Sequence, residues 1–242
     1  MFSQYKIIDL THVLHEGIAT WDGKCGYVEK VTKDHADCPG RVKFRGQELM
    51  LQGGAGTHLD APLHCDPTGI SIAEIPLEQL TVPVVVIDAS LKADANYLIS
   101  KEDIEIFENK YGLIPNGCLV IGYTGWDRFW DEPVLYRNQD SLGVMSFPSF
   151  SIEAVEFLVE ARRIAGIGID TLSPDAPNSE FPVHDILLKS GKYIIENVAN
   201  ASKLPPRGAF VVISPLKLSK GTESPIRLIG FIPLALVDKA VM

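Results

Sequence analysis

Two of the six histidines of this chain lie within the short segment Gly56-Thr57-His58-Leu59-Asp60-Ala61-Pro62-Leu63-His64. Pro62 disfavours a continuous helix through it. In an extended chain His58 and Asp60 share one face, because side chains two residues apart in a strand point the same way. An imidazole nitrogen and a carboxylate oxygen that converge on one point suit a divalent transition metal. The spacing alone does not settle the matter, since isolated His-x-Asp pairs are common.

The residues around this pair narrow the chemistry. His64 lies beyond the proline and can face the same point, and the preceding glycines, in Gln52-Gly53-Gly54-Ala55-Gly56, would let the backbone approach a substrate or an ion closely. A dinucleotide-binding loop would need a helix directly after the glycines, and Asp60-Ala61-Pro62 is a poor helix start. The chain has no GxSxG elbow and no Walker loop, so neither a serine hydrolase nor a P-loop enzyme is indicated.

The elements that must position these residues follow from hydrophobic periodicity. Helices are predicted over residues 100–110 and 151–163, each beginning at a serine that can cap it; Asp103 completes the first cap. Strands are predicted over residues 6–10, 42–52, 82–89, 118–123, 166–169, 209–213 and 227–233. Strands that alternate with helices predict an α/β fold with a mixed β-sheet flanked by helices. With no internal repeat and no linker, residues 1–242 are predicted to form a single domain.

Composition limits the classes of partner. The 242 residues are 46% hydrophobic and 22% charged, as in an ordinary globular protein with a sizeable core. The net charge is -9 and the 22 Lys and Arg are scattered, which argues against nucleic acid and anionic membranes as partners. No apolar run approaches the ~20 residues of a membrane span. The absence of a signal peptide and of paired cysteines predicts a cytoplasmic location.

The histidine segment resembles the HxGTHxDxPxH signature of the cyclase family, which includes bacterial kynurenine formamidases and isatin hydrolases. Further blocks of the chain resemble family segments in the same order: residues 20–23, 80–88, 123–126, 168–175, 184–188, 195–197 and 221–227. The resemblance implies a cyclase-like fold of the swivelling β/β/α type. It also implies a metal-dependent hydrolase that cleaves an amide or lactam-like C–N bond of a small substrate through metal-activated water, with aromatic compounds among the candidate substrates. A homodimer or homotetramer is expected.

The resemblance also assigns roles to individual residues. It implies that one or two ions of Zn²⁺ or Mn²⁺ are held by His58, Asp60, His184 and Glu196. His64 matches the catalytic acid/base, and Trp21 matches an aromatic wall of the substrate pocket, with Phe44 and Trp126 as further candidates for that wall. Glu196 follows the apolar run 193–195, where a buried carboxylate is expected to be paired or metal-bound.

The chain departs from the signature at one position, because Gly54 stands where the family has its first histidine, a metal ligand. Three interpretations follow. Water or another side chain, Gln52 or Cys65, fills the place; or the four remaining residues hold a single metal; or metal binding is weak or absent. Of the cysteines, Cys25 and Cys65 are expected nearest the site. A ligand-binding relative that has lost catalysis and a lyase or cyclase on the same scaffold are the alternative functions.

Overall fold

Residues 2–237 are described by a computed structural model of the chain. The strands are β1 Tyr5–Asp9, β2 Tyr27–Lys33, β3 Gly46–Leu51, β4 His58–Asp60, β5 Thr81–Asp88, β6 Leu98–Ile99, β7 Leu119–Tyr123, β8 Ser149–Phe150, β9 Gly166–Ile169, β10 Tyr193–Glu196, β11 Ala209–Pro215 and β12 Glu223–Pro233. The α-helices are α1 Leu77–Leu80, α2 Lys101–Tyr111, α3 Pro133–Arg137, α4 Ile152–Glu160, α5 Pro182–Lys189 and α6 Leu234–Val237. Short 3₁₀ turns cover Phe2–Gln4, His35–Asp37, Pro62–His64, Ile72–Glu74, Trp126–Phe129 and Ala201–Lys203.

The main sheet closes on itself. Its strand order is β1-β12-β11-β5-β7-β9-β10-β4, and β4 also pairs with β12. Strands β5, β7, β9 and β10 run parallel to their neighbours in that series, whereas β4, β11, β12 and β1 pair antiparallel. The predicted α/β fold with a mixed sheet is therefore confirmed. The long β12 makes the closure possible, because its first residues pair with β4 and its later residues pair with β11 and β1.

Alternation of side chains along β5 shows how the closed sheet is filled. Val82, Val84 and Val86 belong to one buried cluster with residues of β7, β11 and β12. Val85 and Ile87 belong to a second cluster, which also contains apolar residues of α2, α4 and α5. A closed sheet of about eight strands has room inside only for side chains, so the first cluster fills its interior and the second joins it to the helices.

The two predicted helices are confirmed, and their serine caps explain where they begin. Ser100 precedes α2 and forms a capping box with Asp103, and the Ser151 hydroxyl accepts a hydrogen bond from the Ala154 amide at the start of α4. Each predicted strand overlaps an observed one. The prediction over residues 42–52 begins too early, because residues 42–45 belong to a loop whose Val42 and Phe44 are exposed. Among the described helices, none is long and apolar enough to cross a membrane.

Candidate metal centre

Strand β4 carries the His-x-Asp pair at the place where the barrel closes, and both residues are buried. Leu59 between them points into the barrel interior, which leaves His58 and Asp60 together on the other face. The register places Glu196 of β10 opposite His58, and Glu223 of β12 opposite Asp60. Directly opposed residues of adjacent strands point to the same face. Three strands therefore bring four potential ligands to one surface.

A fixed hydrogen bond orients the imidazole of His58. Its Nδ1 lies 2.9 Å from the carbonyl oxygen of Gly56. A carbonyl can only accept, so Nδ1 carries the proton and the Nε2 lone pair of the neutral ring faces the site. Gly56 adopts a left-handed φ of 64°, and its carbonyl also accepts a 2.9 Å hydrogen bond from the side-chain amide of Asn197.

His184 is oriented in the same way by a carboxylate. It lies in the first turn of α5, and its Nδ1 donates a 2.7 Å hydrogen bond to Oδ2 of Asp175. The same carboxylate accepts the backbone N–H groups of His184 and Val183, at 2.9 and 2.8 Å. Nε2 of His184 consequently faces Asp60 Oδ2 at 3.7 Å and Glu196 Oε1 at 3.5 Å. Asp175 was not singled out from the sequence, although it lies in one of the segments that resemble the family.

The four side chains implied by the resemblance thus converge. Nε2 of His58 lies 3.3 Å from Glu196 Oε2 and 3.4 Å from Asp60 Oδ1. Ligand atoms of Asp60, His184 and Glu196 lie within 4.8 Å of one another, and so do those of a second group formed by His58, Asp60 and Glu223. Asp60 belongs to both groups.

The electrostatics of this cluster favour positive charge. Burial disfavours a charged imidazole, but Asp60 and Glu196 outweigh burial and raise the pKa of His58 to about 10. For His184 burial is likewise outweighed, by Asp175 and Asp60 above all, and the pKa rises to about 11. The surplus of carboxylates thus attracts cations, whether protons or a metal ion.

Asp60 supplies the test of whether a metal fits. The residue is only 1% exposed, yet among residues 2–237 its Oδ1 finds no hydrogen-bond partner. A buried carboxylate oxygen without a partner is costly, and a cation removes that cost. Asp60, the two oriented imidazoles and the neighbouring carboxylates together form a mixed set of nitrogen and oxygen donors, and such a set fits a divalent metal.

His64 lies beside this cluster, presented by the 3₁₀ turn Pro62–His64 rather than by a continuation of β4. Its ring centroid is 6.0 Å from that of His184, and its Nδ1 is 3.7 Å from Glu223 Oε2. The side chain is 33% exposed, which distinguishes it from the two buried imidazoles. It is therefore placed between the donor cluster and solvent.

A cavity of about 500 Å³ opens onto the cluster. It is lined by Trp21, Gln52, Gly53, Gly54, His58, Asp60, His64, Cys65, Leu172, Ser173, Phe181, His184, Glu196, Asn197 and Glu223. Trp21 forms an aromatic wall with Phe181, whose ring centroid is 5.6 Å away. Phe181 was not identified from the sequence, and its only signal there was its place three residues before His184.

Several expectations about the surroundings are corrected. Trp126 is buried in a separate cluster and donates a hydrogen bond from Nε1 to the Tyr136 carbonyl, so it does not line the cavity. Phe44 is exposed and lies under the Lys33 ammonium group, away from the cavity. Cys25 is exposed and also lies outside the cavity lining.

The two side chains proposed from the sequence as substitutes for the missing histidine, Gln52 and Cys65, both line the cavity together with Gly54. Among the described residues, Cys65 does not belong to either group of potential ligands. The atom that stands nearest to the space beside Gly54 belongs to Glu223: a Cβ atom at Gly54 would lie 2.8 Å from Glu223 Oε1. Glu223 lies in the segment 221–227, which resembles a family block, but nothing in the sequence assigned it a role.

Comparison with known proteins places this arrangement in context. Residues 8–176 match the family described as putative cyclase. An isatin hydrolase of Roseibium aggregatum is 31% identical over 220 residues, which cover 86% of this chain and 81% of that protein. A kynurenine formamidase of Paracidovorax citrulli is 26% identical over 226 residues, 91% of this chain and 94% of that protein. The solved structure of isatin hydrolase A from Labrenzia aggregata, bound to benzyl benzoate, superposes with a TM-score of 0.86 at 30% identity, covering 96% of this chain and 95% of that one.

Proposed function

The chain belongs to the putative cyclase family and is an amidohydrolase of C–N bonds other than peptide bonds, and from that premise we propose that it cleaves an amide or lactam-like bond at a divalent-metal site. The cyclase-like fold implied by the sequence is confirmed by the superposition. The observation that carries the proposal is the convergence of two oriented imidazoles with buried carboxylates on the wall of an open cavity.

His58, Asp60, His184 and Glu196 would hold the ion. When bound, a divalent metal lowers the pKa of a coordinated water to ~7 and polarises a substrate carbonyl. The protein supplies fixed ligands, because the Gly56 carbonyl and Asp175 each lock one imidazole with its Nε2 toward the centre. Zn²⁺ and Mn²⁺ are the candidates, and one or two ions are compatible with two ligand groups that share Asp60.

His64 is proposed as the acid/base. Its partial exposure and its place beside His184 let it reach both the cavity and solvent. In this role it accepts a proton from the attacking water and delivers it to the leaving nitrogen, tasks that suit an imidazole because its ring nitrogens can both accept and donate a proton. The bond between the carbonyl carbon and nitrogen breaks as the water oxygen bonds to that carbon.

The substrate is proposed to be small, flat and aromatic. Trp21 and Phe181 form an aromatic wall, and such rings favour stacked or edge-on aromatic partners. The names of the relatives agree with this chemistry, since isatin is an aromatic lactam and the kynurenine formamidase acts on an aromatic formamide. N-formyl aromatic amines, isatin-like lactams and small cyclic amides are therefore the compounds to assay.

Elemental analysis combined with an activity assay tests the proposal. Purified protein should contain stoichiometric Zn²⁺ or Mn²⁺, lose hydrolysis after chelation and regain it when one of these metals is restored. Mass spectrometry of the product should show the substrate plus one water. Folded protein that neither contains nor takes up either metal would contradict the proposal.

The same experiment separates the alternative functions. Stoichiometric metal and tight binding of an aromatic amide without turnover would identify a ligand-binding relative. A product that lacks the added water would identify a lyase or cyclase. We also propose that the chain forms a homodimer or homotetramer, as symmetric oligomers are common among soluble enzymes. Light scattering at micromolar concentration should give at least twice the 26.5 kDa chain mass.

A further inference from the structure

Glu223 lines the cavity and lies beside His58 and Asp60. It faces Asp60 across the β12–β4 pairing, and its carboxylate joins Asp60 and His58 in a group whose ligand atoms lie within 4.8 Å of one another. The neighbouring Asp60 Oδ1 is buried and has no hydrogen-bond partner in the part of the chain that the structure describes. Two carboxylates that face each other in this way are mutually repulsive unless a cation lies between them.

The space that Glu223 occupies is available only because residue 54 is glycine. A Cβ atom there would lie 2.8 Å from Glu223 Oε1 and 3.3 Å from His58 Nε2, and real Cβ atoms do not approach a neighbour as closely as the first distance. Gly54 does not adopt the left-handed backbone conformation that favours glycine. The backbone therefore tolerates a side chain at this position, but the Glu223 carboxylate would have to move away from its present place.

From these observations we propose that Glu223 is a direct ligand of the divalent metal and occupies the place of the ligand that Gly54 lacks. The inference rests on the proposed function, since it assumes that the cluster of His58 and Asp60 binds metal. A side chain at position 54 cannot coexist with the Glu223 carboxylate in its present place. Either residue 54 or residue 223 can therefore supply the ligand at this point. The signature is thereby altered in chemistry but not left incomplete.

The exchange has a consequence for metal preference. A carboxylate oxygen replaces an imidazole nitrogen, so oxygen donors outnumber nitrogen donors in the set of His58, Asp60, His184, Glu196 and Glu223. Carboxylates suit Mn²⁺, whereas imidazoles suit Zn²⁺. The site of this chain is therefore shifted toward Mn²⁺ relative to the same scaffold with a histidine at position 54.

Metal affinity of the isosteric Glu223→Gln variant tests the inference. The measurement is competition between the metal-free protein and a chromophoric chelator, for Mn²⁺ and Zn²⁺ separately. Loss of a supporting residue costs ~10–100-fold in affinity, and loss of a ligand should cost at least ~100-fold. Glu180→Gln is the matched control: it removes an exposed carboxylate next to Phe181 but outside the cavity lining, and should change affinity by less than ~3-fold because exposed charges are screened.

The double variant Gly54→His/Glu223→Gly reverses the exchange. We expect it to regain affinity lost in Glu223→Gln and to raise the preference for Zn²⁺ over Mn²⁺ by at least ~10-fold relative to the original chain. Gly54→His alone should bind metal more weakly than the double variant, because the new side chain meets Glu223. Melting temperatures identify any variant that is unfolded, and the comparison is made among folded ones.

The outcomes separate the inference from the proposed function. If the original chain binds metal and Glu223→Gln binds it equally well, the inference is wrong and Glu223 serves only His64, 3.7 Å away. An unchanged Zn²⁺ to Mn²⁺ preference in a metal-binding double variant would also overturn it. If the original chain binds neither metal, the proposed function fails and the inference fails with it.

Discussion

Asp175→Asn is the substitution that most directly tests how the centre is built, because it changes a supporting residue and leaves every proposed ligand in place. Asp175 Oδ2 accepts the Nδ1–H of His184 at 2.7 Å and the backbone N–H of the same residue at 2.9 Å, while Oδ1 accepts the Val183 N–H at 2.8 Å. All three groups are donors. An asparagine offers one oxygen and one amino group, so at least one donor must face another donor.

The expected losses of metal affinity and of folding free energy follow from that mismatch of donors. If the amide oxygen stays on His184, the ring keeps its orientation but loses a charged acceptor, and its Nε2 becomes a weaker ligand. Outer-sphere partners of metal-bound histidines are worth ~10–100-fold in metal affinity, which corresponds to ~1.4–2.7 kcal/mol. The unpaired N–H of Val183 should cost a further ~1–3 kcal/mol of folding free energy, independent of metal.

Two measurements separate these effects. Chelator competition gives metal affinity, and urea denaturation of the metal-free protein gives the free energy of unfolding. Asp103→Asn is the control, because Asp103 is also buried and also accepts several hydrogen bonds, from Ser100 and Tyr97 among others, but lies outside the cavity. We expect both variants to lose folding stability and only Asp175→Asn to lose metal affinity.

The reasoning is refuted if Asp175→Asn binds metal as tightly as the unaltered chain. That result would mean that packing alone orients His184. Equal losses of affinity in the Asp175 and Asp103 variants would refute it in another way, by tracing the effect to general destabilisation.

Three further predictions concern the acid/base, the cavity wall and a partly buried histidine outside the centre. His64→Ala should keep its metal but lower turnover by ~10²–10⁴-fold, whereas His58→Ala should lose metal and activity together; if the first variant loses metal as completely as the second, His64 is a ligand. Phe181→Ala should raise KM for an aromatic substrate by ~3–10-fold with little change in kcat, since an aromatic contact is worth ~0.5–1.5 kcal/mol, and an unchanged KM would remove Phe181 from the substrate wall. Burial lowers the pKa of His12 from 6.5 to about 4, because it outweighs the opposing effect of the Asp131 charge. As the pH falls, the unfolded chain therefore binds a proton at His12 before the folded chain does, and the free energy of unfolding decreases from pH 6.5 downward to about pH 4. His12→Phe keeps a ring stacked on Trp130 but removes the titrating group, so it should reduce this pH-dependent loss of unfolding free energy by at most ~3 kcal/mol. Urea denaturation at a series of pH values measures the effect. Identical pH profiles for the variant and the unaltered chain would contradict the prediction.

Local sequence patterns were sufficient to predict the residues of the centre that lie in one short segment, His58 and Asp60. The proline excluded a helix and the His-x-Asp spacing then placed both side chains on one face, as β4 confirms. The carboxylate of Glu196, which follows an apolar run, was expected to be paired or metal-bound. In the structure Glu196 ends β10 and lies 3.3 Å from Nε2 of His58 in β4. Serine caps similarly located α2 and α4.

Residues that act through long-range pairing could not be recognised in this way. Glu223 reaches the centre only because β12 pairs with β4, and a charged residue between a glycine and a proline is otherwise typical of an exposed turn. Asp175 becomes a supporting residue only when α5 packs beside it. That helix escaped prediction because it is short and begins after Phe181, which has a left-handed φ of 56° and no capping side chain.

The three-residue strand β4 has a thermodynamic consequence of its own. It is bonded to β10 on one side and β12 on the other, and the Ala61 and Ile226 amides extend that bonding to Thr222 and Thr57. An ion held by side chains from all three strands would cross-link the place where the barrel closes. Its binding free energy would then add to barrel closure, by ~2.7 kcal/mol at a free concentration 100 times Kd. Amide hydrogen exchange in β4 should therefore slow as metal is added, which makes this strand a direct reporter of occupancy in the absence of any substrate.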